Sequence, residues 1–220
     1  MKSRSRARSR GISTTEILVG SALSLMTLGT LFAAFHGQER ALATQNAYVE
    51  TQAATRNVVD LLVREVRMAA YDPSGTALTV APGPNCPGAR QGITEATGSS
   101  LHFRQDLNGD GSLTGAGEDV TYDVVSGQLR RTDGTGSAVV LATGLTASNF
   151  GFRYFTADNP PVELVPSGTP AALTSGQRDC VAEVQVTMQA TQAAGLHSTT
   201  QLRSIATSRI GIRNRTLNNL

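Results

Sequence analysis

Ile17-Leu18-Val19-Gly20-Ser21-Ala22-Leu23-Ser24-Leu25-Met26-Thr27-Leu28-Gly29-Thr30-Leu31-Phe32-Ala33-Ala34-Phe35 is a run of nineteen residues without a charge. A helix that crosses the hydrocarbon core of a bilayer needs about 20 such residues. Lys2, Arg4, Arg6, Arg8 and Arg10 precede the run, with no acid among them. Cations on one flank of an apolar helix stay in the cytoplasm, so the N-terminus is expected inside and the C-terminal bulk outside. A secretory signal has a shorter apolar region followed by a small-residue cleavage site. Phe32-Ala33-Ala34-Phe35-His36 is a poor site of that kind.

The charge is segregated. Setting those five aside leaves 14 of the 19 Lys and Arg against 17 Asp and Glu, a net charge of about −3 in place of +2. A nucleic-acid-binding protein keeps its basic charge on the folded domain, so no nucleic-acid partner is expected. The 220 residues suit one domain with an appendage. Charged residues make up 16%, aromatics 5%, and glycine is abundant at 22 residues. That mix favours strands and turns over a helical cytosolic enzyme.

Glu16 stands at the start of the apolar run, after Gly11-Ile12-Ser13-Thr14-Thr15. A carboxylate at the end of a membrane helix is costly and usually functional. A headgroup-level carboxylate favoured by the helix dipole is one reading. The other starts from a cut after Gly11, which makes Ile12 a new N-terminus with a free amine one helical turn from Glu16. Pairing with that amine, its own or a neighbour's, removes most of the cost of both charges in hydrocarbon.

On Arg10, Gly11, Ile12 and Glu16, followed by the apolar helix, the sequence resembles the type IV pilin family. Ile12 stands where the family commonly has phenylalanine. The resemblance implies a basic leader over residues 1–11, cleavage between Gly11 and Ile12 and N-methylation by a prepilin peptidase. It also implies other pilins or pseudopilins as partners, together with an inner-membrane assembly platform. The precursor would be a single-pass inner-membrane protein with its bulk periplasmic or extracellular, later built into a pilus or pseudopilus. Residues 12–36 would form the transmembrane and assembly half of a long helix, and residues 37–72 its amphipathic half. Residues 73–220 would form an extracytoplasmic β-rich domain.

The residues themselves support the second half of that helix. No proline interrupts Gln38 to Ala70, and Val58, Leu62 and Val66 recur at helical spacing, flanked by Leu61 and Met68. Asp72-Pro73-Ser74-Gly75 stops it. A helix from Thr14 to Tyr71 would be roughly 85 Å long. The stretch Leu61 to Pro73, with Met68-Ala69-Ala70-Tyr71-Asp72-Pro73 at its end, resembles PilW-type minor pilins, as does Arg209-Ile210-Gly211-Ile212-Arg213-Asn214 more weakly. GspJ-type pseudopilins of type II secretion share the architecture and form the alternative.

Residues 73–99 and Asp158 to Arg178, the latter with four prolines, read as irregular connections. Strands are expected over Ser100–Gln105, Val120–Val125, Gln128–Thr132, Ala138–Ala142, Phe150–Phe155, Val181–Thr191 and Gln201–Ile212. Ser126-Gly127 reads as a two-residue hairpin turn, and the last two strands as neighbours around Gly195. The fold class is α+β: a long N-terminal helix packed on a mostly antiparallel sheet. Cys86 and Cys180 stand far apart in sequence, as two free thiols or one disulfide, and export favours the bridge.

Asp106-Leu107-Asn108-Gly109-Asp110-Gly111-Ser112-Leu113-Thr114 follows the order of a calcium loop. Oxygen ligands alternate at its positions one, three and five, glycine turns the chain at six, and a carbonyl serves at seven. Asp106, Asn108, Asp110 and Ser112 are the candidate ligands of Ca²⁺. Position twelve is Gly117, so Glu118 would have to reach in through a bulge. A solvated Asn/Asp/Gly turn uses the same residue types. His36, His102 and His197 are scattered, and no G-x-S-x-G, H-E-x-x-H or phosphate-binding glycine loop is present. A structural assembly protein is therefore expected rather than an enzyme. A membrane-anchored calcium-binding or adhesive domain that is never assembled remains the reading from another class.

Overall fold

A computed structural model describes residues 13–79, 86, 89–193 and 201–216. The chain divides into two units, Met1–Asn46 and Ala47–Leu220. In chain order the elements are α1 (Thr14–Met68), β1 (Ile93–Ala96), β2 (Ser100–Arg104), β3 (Asp119–Val125), β4 (Gln128–Asp133), β5 (Val139–Thr143), β6 (Phe150–Phe155), β7 (Glu163–Leu164), α2 (Ser175–Asp179), β8 (Glu183–Ala193) and β9 (Gln201–Gly211). A 3₁₀ turn, Arg213–Thr216, follows. The first unit contributes the opening turns of α1; the rest of α1 and all strands belong to the second.

Within the second unit the strands form two antiparallel sheets, ordered β1-β2-β3-β4-β5 and β7-β6-β8-β9. Alternation sets their inward faces. Leu101 and Phe103 of β2, Val120 and Tyr122 of β3, and Val184, Val186 and Met188 of β8 are buried. They join Val58, Val59, Leu62 and Val66 of α1 in one hydrophobic cluster. The apolar stripe of α1 is thus the element both sheets share. The β3–β4 hairpin turns at Ser126 and Gly127, both at positive φ (52° and 75°), the backbone a type I′ turn requires. β8 and β9 pair over their whole lengths, from Glu183 opposite Gly211 to Ala193 opposite Gln201.

A half-buried polar cluster ties α1 to the first sheet. The carboxylate of Glu65 accepts from Tyr122 Oη and from Arg131 Nε at 2.9 Å. Arg131 also lies 3.6 Å from Asp133, whose carboxylate accepts from the Gly117 amide. At its C-terminal end α1 stops with Ala70 at φ 63°, where Ala70 N donates to Arg104 O. Gly92 packs directly on this residue: a Cβ at position 92 would lie 2.5 Å from the Ala70 backbone. Cys86 and Cys180 form a disulfide across 94 residues of chain.

Two stretches read as irregular contain regular structure. Residues 73–99 include β1, whose Ile93 and Ala96 are buried against the core. Within 158–178 lie β7, paired with β6, and the start of α2. α2 is set by a capping box: the Thr174 hydroxyl accepts from Gln177 N, and the Gln177 side chain accepts from Thr174 N.

Candidate functional site

The opening of α1 is the first candidate surface. Every residue from Ser13 to Ala43 is exposed, including Ile17, Leu18, Leu25, Met26, Phe32 and Phe35. Contiguous apolar exposure on this scale marks a membrane or protein contact, and the segment is long and apolar enough to cross a bilayer. Its hydroxyls do not need water. Ser21 donates to Leu18 O, Ser24 to Gly20 O, Thr27 to Leu23 O and Ser24 O, and Thr30 to Thr27 O. Among the described residues no atom lies near where a Cβ would stand at Gly20, Gly29 or Gly37, so no packing among them calls for glycine there.

Glu16 sits in the first turn of α1. Ser13 O accepts from both Glu16 N and Ile17 N, at 3.0 and 3.2 Å. Among the described residues Glu16 has no ion-pair partner, while His36 pairs with Glu39 at the far end of the apolar run. Gly11, Ile12 and the leader lie outside the described residues, as do His197 and the Gly195 connection.

The second candidate is the loop between β2 and β3. It is wound around two fully buried carboxylates, Asp106 and Glu118. Asp106 Oδ1 accepts from Gly109 N at 2.7 Å, and Oδ2 from Gly111 N and the Ser74 hydroxyl, both at 3.1 Å. Glu118 Oε1 accepts from Leu107 N and Asn108 N, and Oε2 from Gly115 N at 2.6 Å. Asn108 Oδ1 accepts from Asp110 N, and Asp110 Oδ1 from Ser112 N. The Ser112 hydroxyl pairs with that of Thr114. The predicted ligand set thus shares one loop, and each side chain holds loop backbone or a neighbouring side chain. Among the described residues no three of the acidic, His or Cys side chains are gathered as for a metal ion.

The turn after α1 supports this loop, which the sequence did not signal. Asp72 is buried, and its carboxylate accepts from Gly75 N, Leu78 N and the Ser74 hydroxyl. Burial pushes its pKa up, but these bonds and Arg90 at 3.5 Å outweigh that and hold it below the usual carboxylate value. Ser74 therefore stands between the carboxylates of Asp72 and Asp106. In the sequence Asp72-Pro73-Ser74-Gly75 reads only as a helix stop; a hydroxyl beside a buried acid 32 residues away leaves no local pattern.

No family model matches the sequence, and no curated protein matches it. Among solved structures the chain is similar to a type IV-like pilin from Thermus thermophilus, at 14% identity and a TM-score of 0.40, covering 74% of this chain and 97% of that one.

Proposed function

We propose that this chain is a type IV pilin-like subunit, cut between Gly11 and Ile12 and assembled through the opening half of α1. One observation carries the reading: an apolar helical segment, exposed throughout, whose only charge before His36 is a carboxylate without an ion-pair partner among the described residues, one turn from the proposed new amine. In lipid, Glu16 and the Ile12 amine neutralise each other; in a filament, the amine of one subunit pairs with Glu16 of its neighbour. The glycines that serve no contact among the described residues let partner helices approach closely. The role in this reading is structural. Between the two pilin classes, Met68-Ala69-Ala70-Tyr71-Asp72-Pro73 favours a PilW-type minor pilin that helps initiate assembly over a GspJ-type pseudopilin.

Mass spectrometry of the N-terminus after co-expression with a prepilin peptidase tests the reading. A chain that starts at N-methylated Ile12 is expected. An intact leader would instead mark an anchored domain that is not assembled.

Independently of that reading, we propose that the Asp106 loop takes a Ca²⁺ ion, which would fix the loop by binding only the folded state. Its support is the winding of the loop around Asp106 and Glu118, with positive φ at Gly109, Gly111 and Gly117. Asp106, Asn108, Asp110, Ser112 and Glu118 would supply the oxygens. Calorimetric titration of the detergent-solubilised chain with CaCl₂ is expected to show one site, weakened by Asp110→Ala, an exposed position. Absence of heat, or an unchanged Asp110→Ala variant, leaves the loop as a hydrogen-bonded turn alone.

A further inference from the structure

A polar cavity of about 300 Å³ opens on the second unit. The strand β2 brings Arg104 to it and α2 brings Arg178 and Asp179, while Gln91 enters from the segment before β1. The Cys86–Cys180 bridge begins at the residue after Asp179 and anchors that end of α2. Ile93 and Leu113 give the cavity an apolar wall.

Its charges are incompletely matched. Arg178 donates through Nη1 to Leu173 O at 2.9 Å, and among the described residues no carboxylate lies within 4.0 Å of it. Asp179 follows it in sequence, yet among the described residues its carboxylate meets only the Gln91 amide, at 3.3 Å, and no cation. Arg104 has Asp119 Oδ2 at 3.3 Å from a buried Nε, which no ligand can reach, while among the described residues its two Nη groups make no hydrogen bond. Two guanidinium groups therefore keep donors in reserve beside an acid that keeps acceptors. Planar guanidinium forks select carboxylates, with two parallel bonds where the geometry permits. A carboxylate and an amide select hydroxyls, and an apolar wall suits the C–H face of a sugar ring.

We propose that this cavity binds a carboxylate-bearing saccharide: Arg104 and Arg178 take its carboxylate, and Asp179 with Gln91 takes ring hydroxyls. The site uses neither the leader nor Glu16, so it stands whether or not the chain is assembled into a filament.

The test is calorimetric titration of the full-length chain in detergent with trigalacturonate, alongside galactotriose and sodium sulfate. Saturable binding of trigalacturonate is expected, with galactotriose about tenfold weaker or more. Arg104→Gln and Arg178→Gln should each weaken binding by about tenfold. Asp179→Asn should lower the affinity for trigalacturonate. Melting temperatures check folding, and because Arg178 also holds Leu173 O, Arg104→Gln carries the test if Arg178→Gln does not fold. No saturable binding, sulfate binding as tightly as trigalacturonate, or affinity unchanged in the Arg variants would each overturn the proposal.

Discussion

Tyr122 shows how a single buried group sets the response to alkali. Burial, and then its bond to Glu65, push its pKa far above the ordinary tyrosine value of 10.0. Tyr154, fully buried with its hydroxyl on Thr97 O and Ser100 O, is raised too, first by burial. The unfolded chain releases these protons near pH 10 while the native chain keeps them. Their stabilisation is therefore complete below about pH 10 and is lost as pH rises beyond it. Lys2 is the only lysine, so tyrosines dominate this pH range. Melting temperature is expected to fall from pH 9.5 to 11.5 (about those limits), and to fall less in Tyr122→Phe. At neutral pH that variant loses about 1–2 kcal/mol with its bond to Glu65, measured by urea unfolding. The residue scale is also where the sequence reading is least complete. The order Asp-x-Asn-x-Asp-Gly falls on a loop in which Asp106 is buried while Asn108 and Asp110 are exposed. Which groups their oxygens meet depends on Ser74 and on the fold of residues 115–118, neither encoded in the order.

Elements that bury a periodic face were legible; those held by single contacts were not. α1 and the strands β2, β3, β6 and β8 announce themselves by spacing, and Ser126-Gly127 by the positive φ it demands. β1 has only four residues and follows a glycine- and proline-rich stretch, and its place comes from pairing with β2. α2 has five residues and no buried face, so only its capping box could have betrayed it. Two predictions belong to how these elements are joined. Gly92→Ala should cost about 2 kcal/mol, because the obstruction is the Ala70 backbone. That backbone cannot yield easily: Arg104 O accepts from Ala70 N while Arg104 N donates to Gly92 O. The Cys86→Ala/Cys180→Ala pair should lose roughly 2–5 kcal/mol, since the bridge closes a long loop in the unfolded chain. The first is read from the shift in denaturant midpoint at unchanged slope, the second from the stability extrapolated to water, with a steeper slope as the unfolded chain loses its cross-link.

For the whole molecule, the proposed assembly turns on one carboxylate. Glu16→Ala should leave the melting of the strand-bearing unit unchanged, because Glu16 belongs to the other unit, yet reduce incorporation into filaments by about tenfold or more. Immunoblotting of sheared filaments against membranes reads the ratio; full incorporation of the variant would remove Glu16 from the mechanism. The hydroxyls of Ser21, Ser24, Thr27 and Thr30 carry a further consequence. Each already bonds to a carbonyl of its own helix, so exchanging acyl chains for neighbouring helices alters none of those bonds. On the proposed reading, the subunit's passage from bilayer to filament then requires neither melting of α1 nor wetting of its hydroxyls, and the segment partitions much as a hydrocarbon rod would.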